Sequence, residues 1–276
     1  KTIITASEAA RYIAEAGRGK IVHIYSEANY NKELETLIKN IYQQYGIEVT
    51  YGGNEKSGED NKPKAILIDA RNLLAEMKSQ QDITKVADKI SRYAVANDDT
   101  PTIIIIDSIN AFSEKTLYEA NVSVFSQQYS LFRSRVEGLI AYKLYDAVIR
   151  GAAIFIISQA FSTLNKLYRK IADVAPSAGV KFEHYISEEV WVFSADRLDD
   201  FENEPLSRSE IKGSLDKVKK EVNRLRDKIA VTTFSRTNIG LIGRIAVISF
   251  NDSAPIPKPY IKALYGWHIF KPSKSS

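Results

Sequence analysis

The segment Thr102-Ile103-Ile104-Ile105-Ile106-Asp107-Ser108 constrains this chain more than any other. Four consecutive isoleucines favour extended backbone, because two heavy atoms on Cβ crowd a helix and pack well on a pleated surface. In a strand, neighbouring side chains point to opposite faces. An unbroken apolar run therefore needs cover on both sides, as in a parallel sheet sandwiched between helices. The run ends in an acid, at the strand end where open α/β sheets bind their ligands. Asp-Ser also begins turns, so a purely structural reading of the pair stands beside the functional one.

Similar runs recur along the chain. Lys1 to Thr5 reads as a short strand through Thr2, Ile3 and Ile4. Ser7 to Ala16 reads as a helix that Ser7 can cap and Gly17 can end. Strands are predicted over Ile21 to Tyr25, Ile47 to Tyr51, Ala65 to Ile68 and Ala152 to Ile157. Between them lie helical stretches. Lys32 to Tyr45 places Leu34, Leu37, Ile38 and Ile41 on one face, Leu73 to Ala96 has a break near Gln80, and Val122 to Arg150 carries helical spacing through Leu144. Alternation of this kind predicts βαβ crossovers and an α/β fold with a mostly parallel sheet. After Tyr185 the pattern changes: Glu189 to Phe193, Ile229 to Phe234 and Arg244 to Phe250 read as antiparallel strands at the C-terminal end. The expectation is one core domain over residues 1–276. A charged helical insertion spans about 207–228, with a heptad seam of Ile211, Leu215, Val218, Val222 and Leu225.

Composition narrows the chemistry. The chain has no cysteine, which excludes disulfides and thiolate metal sites. Three histidines, His23, His184 and His268, are too few for a histidine-rich metal centre, and His23 reads as structural within its strand. No apolar run reaches the roughly 18 residues that span a bilayer, and no signal-peptide pattern opens the chain. The expectation is a cytoplasmic protein without a membrane partner. Abundant Ile, Lys, Glu and Tyr lean towards a thermophile. A net charge of +4 permits nucleic-acid binding without arguing for it.

The polar residues that close the strands fall in an order that resembles the RecA/RadA/KaiC superfamily of ATPase cores, nearest to archaeal RadA-type recombinases or their paralogues. Lys20-Ile-Val-His-Ile-Tyr-Ser-Glu27 is similar to the strand that carries the catalytic glutamate in that family. Thr102 to Ser108 resembles its Walker B strand, and Gly151-Ala-Ala-Ile-Phe-Ile-Ile-Ser-Gln159 the strand that ends in a sensing Gln or Asn. Ser177 to His184 and Arg244 to Pro255 resemble later segments of the same cores. The resemblance implies a RecA-like fold and an ATP site holding Mg2+. Asp107 would hold the metal through water, Ser108 would orient Asp107 or cap the next helix, Glu27 would activate water, and Gln159 would sense the γ-phosphate or couple it to the DNA-contacting loop that follows. It further implies DNA as a partner, single- or double-stranded, together with copies of itself or related RecA-like subunits. Phe161 to Ser177 falls where such proteins carry a DNA-contacting loop, and Lys166, Tyr168, Arg169 and Lys170 suit phosphate contact and base stacking. A solvated surface helix is the plain alternative for that segment. Arg133, Arg135, Trp191 and Trp267 carry weaker signals and read as surface or core residues.

One departure stands at the front. The family places G-x-x-x-x-G-K-[ST] between its first strand and first helix. Read as strand then helix, this chain joins them through Thr5-Ala6-Ser7-Glu8, with no glycine-rich loop, no phosphate-binding lysine and no hydroxyl for magnesium. Gly17-Arg18-Gly19-Lys20 follows the helix and reads as its C-cap and turn rather than as a phosphate loop. Because the chain opens at Lys1 inside a strand-like run, residues are expected to precede it. Two functions follow: a DNA-binding recombination or repair protein, ATP-dependent if the full protein has a P-loop, or a non-catalytic RecA/KaiC-like module that binds protein partners.

Overall fold

The computed structural model describes residues 1–25, 32–52, 62–75, 82–93, 100–110, 112, 127–162, 174–176, 185–194, 229–236, 245–251 and 258–265. The chain divides into two compact units, one of residues 1–161 with 176–185 and the other of residues 162–175 with 186–276.

The first unit holds α1 (Thr2–Ala16), β1 (Lys20–Tyr25), α2 (Lys32–Gln44), β2 (Glu48–Tyr51), β3 (Lys64–Asp69), α3 (Ala70–Ala75), α4 (Asp82–Arg92), β4 (Thr102–Asp107), α5 (Gln127–Ile149) and β5 (Ala152–Ile157). Its five strands form a parallel sheet in the order β2-β3-β1-β4-β5, flanked by helices. The isoleucine run is β4, second from one edge, and all six of its residues are buried. β1 beside it is buried from Ile21 onward. An α/β fold with a mostly parallel sheet is thus present.

The front of the chain differs from its sequence reading. Lys1 to Thr5 is not a strand: α1 begins at Thr2, and the Thr5 amide donates to the Lys1 carbonyl at 3.0 Å. Ala6, Ala9, Ala10 and Ile13 are buried along one face of α1 at helical spacing. That packing outweighs the β preference of Ile3 and Ile4. α1 packs on α2, β1 and β4, while α5 packs on α4 and β5. The helix expected over Leu73 to Ala96 is represented by α3 and α4, and residues 76–81 lie outside the described residues.

Gly17 ends α1 in the left-handed conformation, φ 67°, with its amide donating to the Ala14 carbonyl at 3.1 Å. Gly19 has φ 121°, and a Cβ there would lie 2.6 Å from the Pro101 carbonyl oxygen and 2.8 Å from Ile13 Cδ1. The Gly17–Lys20 turn is thus a C-cap and a close backbone crossing. It sits at the amino end of β1, about 17 Å along the strand from the row that contains Asp107.

The remaining strands are β6 (Ala160–Ser162), β7 (Val174–Pro176), β8 (Glu189–Ser194), β9 (Ile229–Arg236), β10 (Ile245–Asn251) and β11 (Lys258–Tyr265). β6 pairs with β7, and the last four form an antiparallel sheet in the order β11-β10-β9-β8. Ala246 and Ile248 of β10 are buried, two residues apart as one strand face requires. The segment 207–228 and its heptad seam lie outside the described residues. Among the described residues, no helix is long and apolar enough to cross a membrane.

Candidate functional site

Parallel register brings the carboxyl ends of the strands into one row. Tyr25 of β1 stands opposite Asp69 of β3 on one side and Asp107 of β4 on the other, and Asp107 stands opposite Ile157 of β5. Asp107 is only 4 % exposed. A carboxylate this deep needs polar partners to offset lost hydration.

One partner is the Thr2 hydroxyl, which donates to Asp107 Oδ2 across 105 positions of sequence. Thr2 is the first residue of α1, so this contact fixes the helix's N-terminus over the end of β4. Lys1 precedes it and extends the other way, its ammonium donating to the Ser158 carbonyl at 2.7 Å, just past β5. A helix start presents amide donors and the positive end of the helix dipole, both favourable to an anion. No acidic residue lies in the first turn of α1 to oppose that.

The turns after β4 and β5 are joined as well. The Ile109 amide donates to the Ile157 carbonyl at 3.1 Å, and the Gln159 amide donates to Asn110 Oδ1 at 3.3 Å. Ser108 and Asn110 are buried, whereas Gln159 is exposed. The Asp107–Ser108 peptide is cis. Next to this row, Tyr25 donates to Glu35 Oε2 at 3.4 Å. Burial first, then the charges of Glu35 and Asp69, push the Tyr25 phenol well above its ordinary range, so it stays a neutral donor.

The structure therefore brings together Asp107, Ser108 and the Gln159 backbone, and adds Lys1, Thr2, Ser158 and Asn110. The sequence reading missed Lys1 and Thr2 because it placed them in a strand. It found no lysine and no hydroxyl at the head of the first helix; with α1 starting at Thr2, both are there. The K-T pair directly before a helical apolar pattern was the available signal. Glu27, Lys166, Tyr168, Arg169 and Lys170 lie outside the described residues, as do Trp267 and the side chains of Arg133, Arg135 and Trp191. His23 is fully buried, its Nδ1 2.7 Å from the Tyr42 hydroxyl, which agrees with a structural role.

Among the described residues there is no cluster of three His, Cys, Asp or Glu side chains able to hold a metal. Magnesium does not require one. It keeps several waters and binds through one or two protein oxygens plus substrate phosphates. Adjacent hydroxyl and carboxylate oxygens on Thr2 and Asp107 fit that demand, with Lys1 and the α1 amides beside them for the anion. No protein-family model and no curated protein matches this sequence.

Proposed function

We propose that the carboxyl end of the parallel sheet is a Mg2+–nucleoside triphosphate site of RecA-like type, in a protein that acts on DNA in recombination or repair. The observation that carries this reading is the contact of the Thr2 hydroxyl with the Asp107 carboxylate at the N-terminus of α1. Lys1 and the first α1 amides would hold the phosphates, while Thr2 and Asp107 would hold Mg2+ directly or through water. The metal, when bound, neutralises charge on the phosphates. Tyr25 and Asn110 keep the floor of the site polar and fixed. Glu27 as water activator, Gln159 as phosphate sensor, assembly with like subunits and a cytoplasmic location follow from the resemblance alone. So does DNA contact by Lys166, Tyr168, Arg169 and Lys170.

The test is equilibrium binding of a fluorescent ATP analogue to the full chain, with and without Mg2+. Saturable, Mg2+-dependent binding that weakens about tenfold or more in Thr2→Ala is expected, as for a lost bond to a charged group. Binding that ignores both Mg2+ and the substitution overturns the site. Single-stranded DNA affinity that falls steeply with salt would support the DNA part. A regulatory module that binds protein partners is the second reading. It is favoured by the outward face of α5, where Tyr142, Tyr145, Val148 and Ile149 are exposed although the opposite face is already buried.

A further inference from the structure

α5 is apolar on two opposite sides. Ile140, Ala141, Leu144 and Ala147 are buried, where the helix packs against α4 and β5. On the other side Tyr142, Tyr145 and Ile149 follow at helical spacing, with Val148 beside them, and all four are exposed. Ile149, at 69 %, is the most exposed large apolar side chain among the described residues. The Tyr142 ring meets Tyr185 edge to face with centroids 5.9 Å apart, and Tyr185 is exposed as well, so the patch continues off the helix. A helix apolar on both sides belongs in a covered position, and a contiguous apolar patch marks a contact surface.

Two charges select the occupant. Asp146 and Arg150 stand one helical turn apart, both exposed. Among the described residues neither forms an ion pair, although Lys143 nearby pairs with Asp88 of α4 at 3.5 Å. An acid and a base four residues apart, at the margin of an apolar stripe, are complementary to the same stripe run backwards. With two copies of α5 crossed antiparallel at the level of Ala147, Tyr145 of one falls opposite Ile149 of the other. Asp146 then lies within about 3 Å, measured along the axis, of the second copy's Arg150. Two-fold symmetry makes each of these contacts twice. We propose that the outward face of α5 is an isologous interface with a second copy of this chain, closed by two Asp146–Arg150 ion pairs around the tyrosines and Ile149. It does not depend on the nucleotide site. One helix face is the size of a transient contact, so dimers should form at about 100 μM rather than at nanomolar concentration.

The experiment is sedimentation equilibrium of the full chain, without nucleotide, up to about 200 μM. The wild type should dimerise. Asp146→Arg and Arg150→Asp should each weaken the dimer about tenfold or more, because each sets like charges against one another across the two-fold axis. An equimolar mixture of the two variants should restore it, since Arg meets Asp at both pairs of the mixed dimer. The double variant Asp146→Arg/Arg150→Asp should dimerise like the wild type, which keeps the test intact if one single variant does not fold. A wild type that stays monomeric overturns the proposal and leaves the face to a different partner. A dimer that neither substitution weakens lies elsewhere on the chain and overturns it too. Weakened dimers that neither mixing nor the double variant restores would show that the two charges do not meet, and the pairing would fall.

Discussion

The two ends of the parallel sheet are built from different materials. At the amino end, backbone meets backbone: the Lys20 amide donates to the Pro101 carbonyl at 2.9 Å, and the Lys64 amide to the Gly19 carbonyl at 3.0 Å. The turn is so tight that only glycine fits at position 19. At the carboxyl end, side-chain connections are added to backbone bonds such as Ile109 to Ile157: Thr2 to Asp107, Lys1 to Ser158, Asn110 to Gln159. Backbone contacts between strand ends specify a fold and offer little to a ligand. Side-chain contacts at charged and hydroxyl groups can be exchanged for contacts to a ligand. On that difference, substitutions at the amino end should cost stability, and those at the carboxyl end should cost binding.

Gly19→Ala should have the largest effect on stability. The new Cβ meets a carbonyl oxygen at 2.6 Å and a core isoleucine at 2.8 Å, on a backbone with φ 121° that L residues rarely adopt. Strain and overpacking together should cost about 3 kcal/mol or more, read by urea unfolding at pH 7. A loss within about 0.5 kcal/mol would mean the crossing is slack, and the contrast between the ends would fail.

Between the two ends, the core holds a second large effect that depends on pH. His23 in the middle of β1 is fully buried, and among the described residues its Nε2 has no partner. Burial lowers its pKa to about 3 from an ordinary 6.5. The unfolded chain therefore takes up a proton below about pH 6.5 that the folded chain refuses until about pH 3. Stability contributed by His23 is complete above pH 6.5 and is lost as pH falls through that window. Between pH 7 and pH 5 the loss from this group should be about 2 kcal/mol. Comparing wild type with His23→Gln by urea unfolding at both pH values isolates it from the carboxylates. Equal pH slopes in the two proteins would place His23 in a wetter site than the structure gives.

These contrasts follow what the sequence made legible. Every strand of the parallel sheet falls within about one residue of where apolar runs place it, because runs rich in β-branched and aromatic residues leave a local signature in the buried centre and at the partly exposed edges β2 and β5 alike. The Gly17–Lys20 turn was legible for the same reason, since a C-cap depends on a single left-handed residue. Other features were not. Ile3 and Ile4 read as strand, although the spacing Thr2, Ala6, Ala9, Ala10, Ile13 runs unbroken along one helix face. Following that period back to Thr2 would have exposed the K-T pair. β6, β7 and β11 were not predicted; β6 and β7 are three residues each, and Pro259 weakens the strand signal of β11, whose place at the edge of its sheet is where proline is tolerated. The pairing of Thr2 with Asp107 and of Asn110 with Gln159 joins residues 105 and 49 positions apart, which no local pattern encodes.

A smaller effect belongs to the core pair around His23. Tyr42→Phe removes the hydroxyl 2.7 Å from His23 Nδ1 while keeping the ring that fills the space between α2 and β1. The expected loss is about 1 kcal/mol at pH 7, and triphosphate binding should not change. A change in binding would show that the interior of the sheet is coupled to its carboxyl end.

Asp107→Asn should have the smallest effect on stability and a large one on binding, which makes it the sharpest test of the contrast. The substitution keeps the shape and an acceptor for the Thr2 hydroxyl, while removing a charge from a place only 4 % exposed. Relief of desolvation offsets the weaker hydrogen bond, so urea unfolding should move by less than about 1 kcal/mol in either direction. A magnesium ion, by contrast, needs the hard anionic oxygen, and Mg2+-dependent binding of the ATP analogue should weaken about tenfold or more. Stability lost together with binding would make Asp107 a structural carboxylate that α1 happens to cover. Binding lost from an equally stable fold would mean that this end of the sheet keeps a buried charge for its ligand.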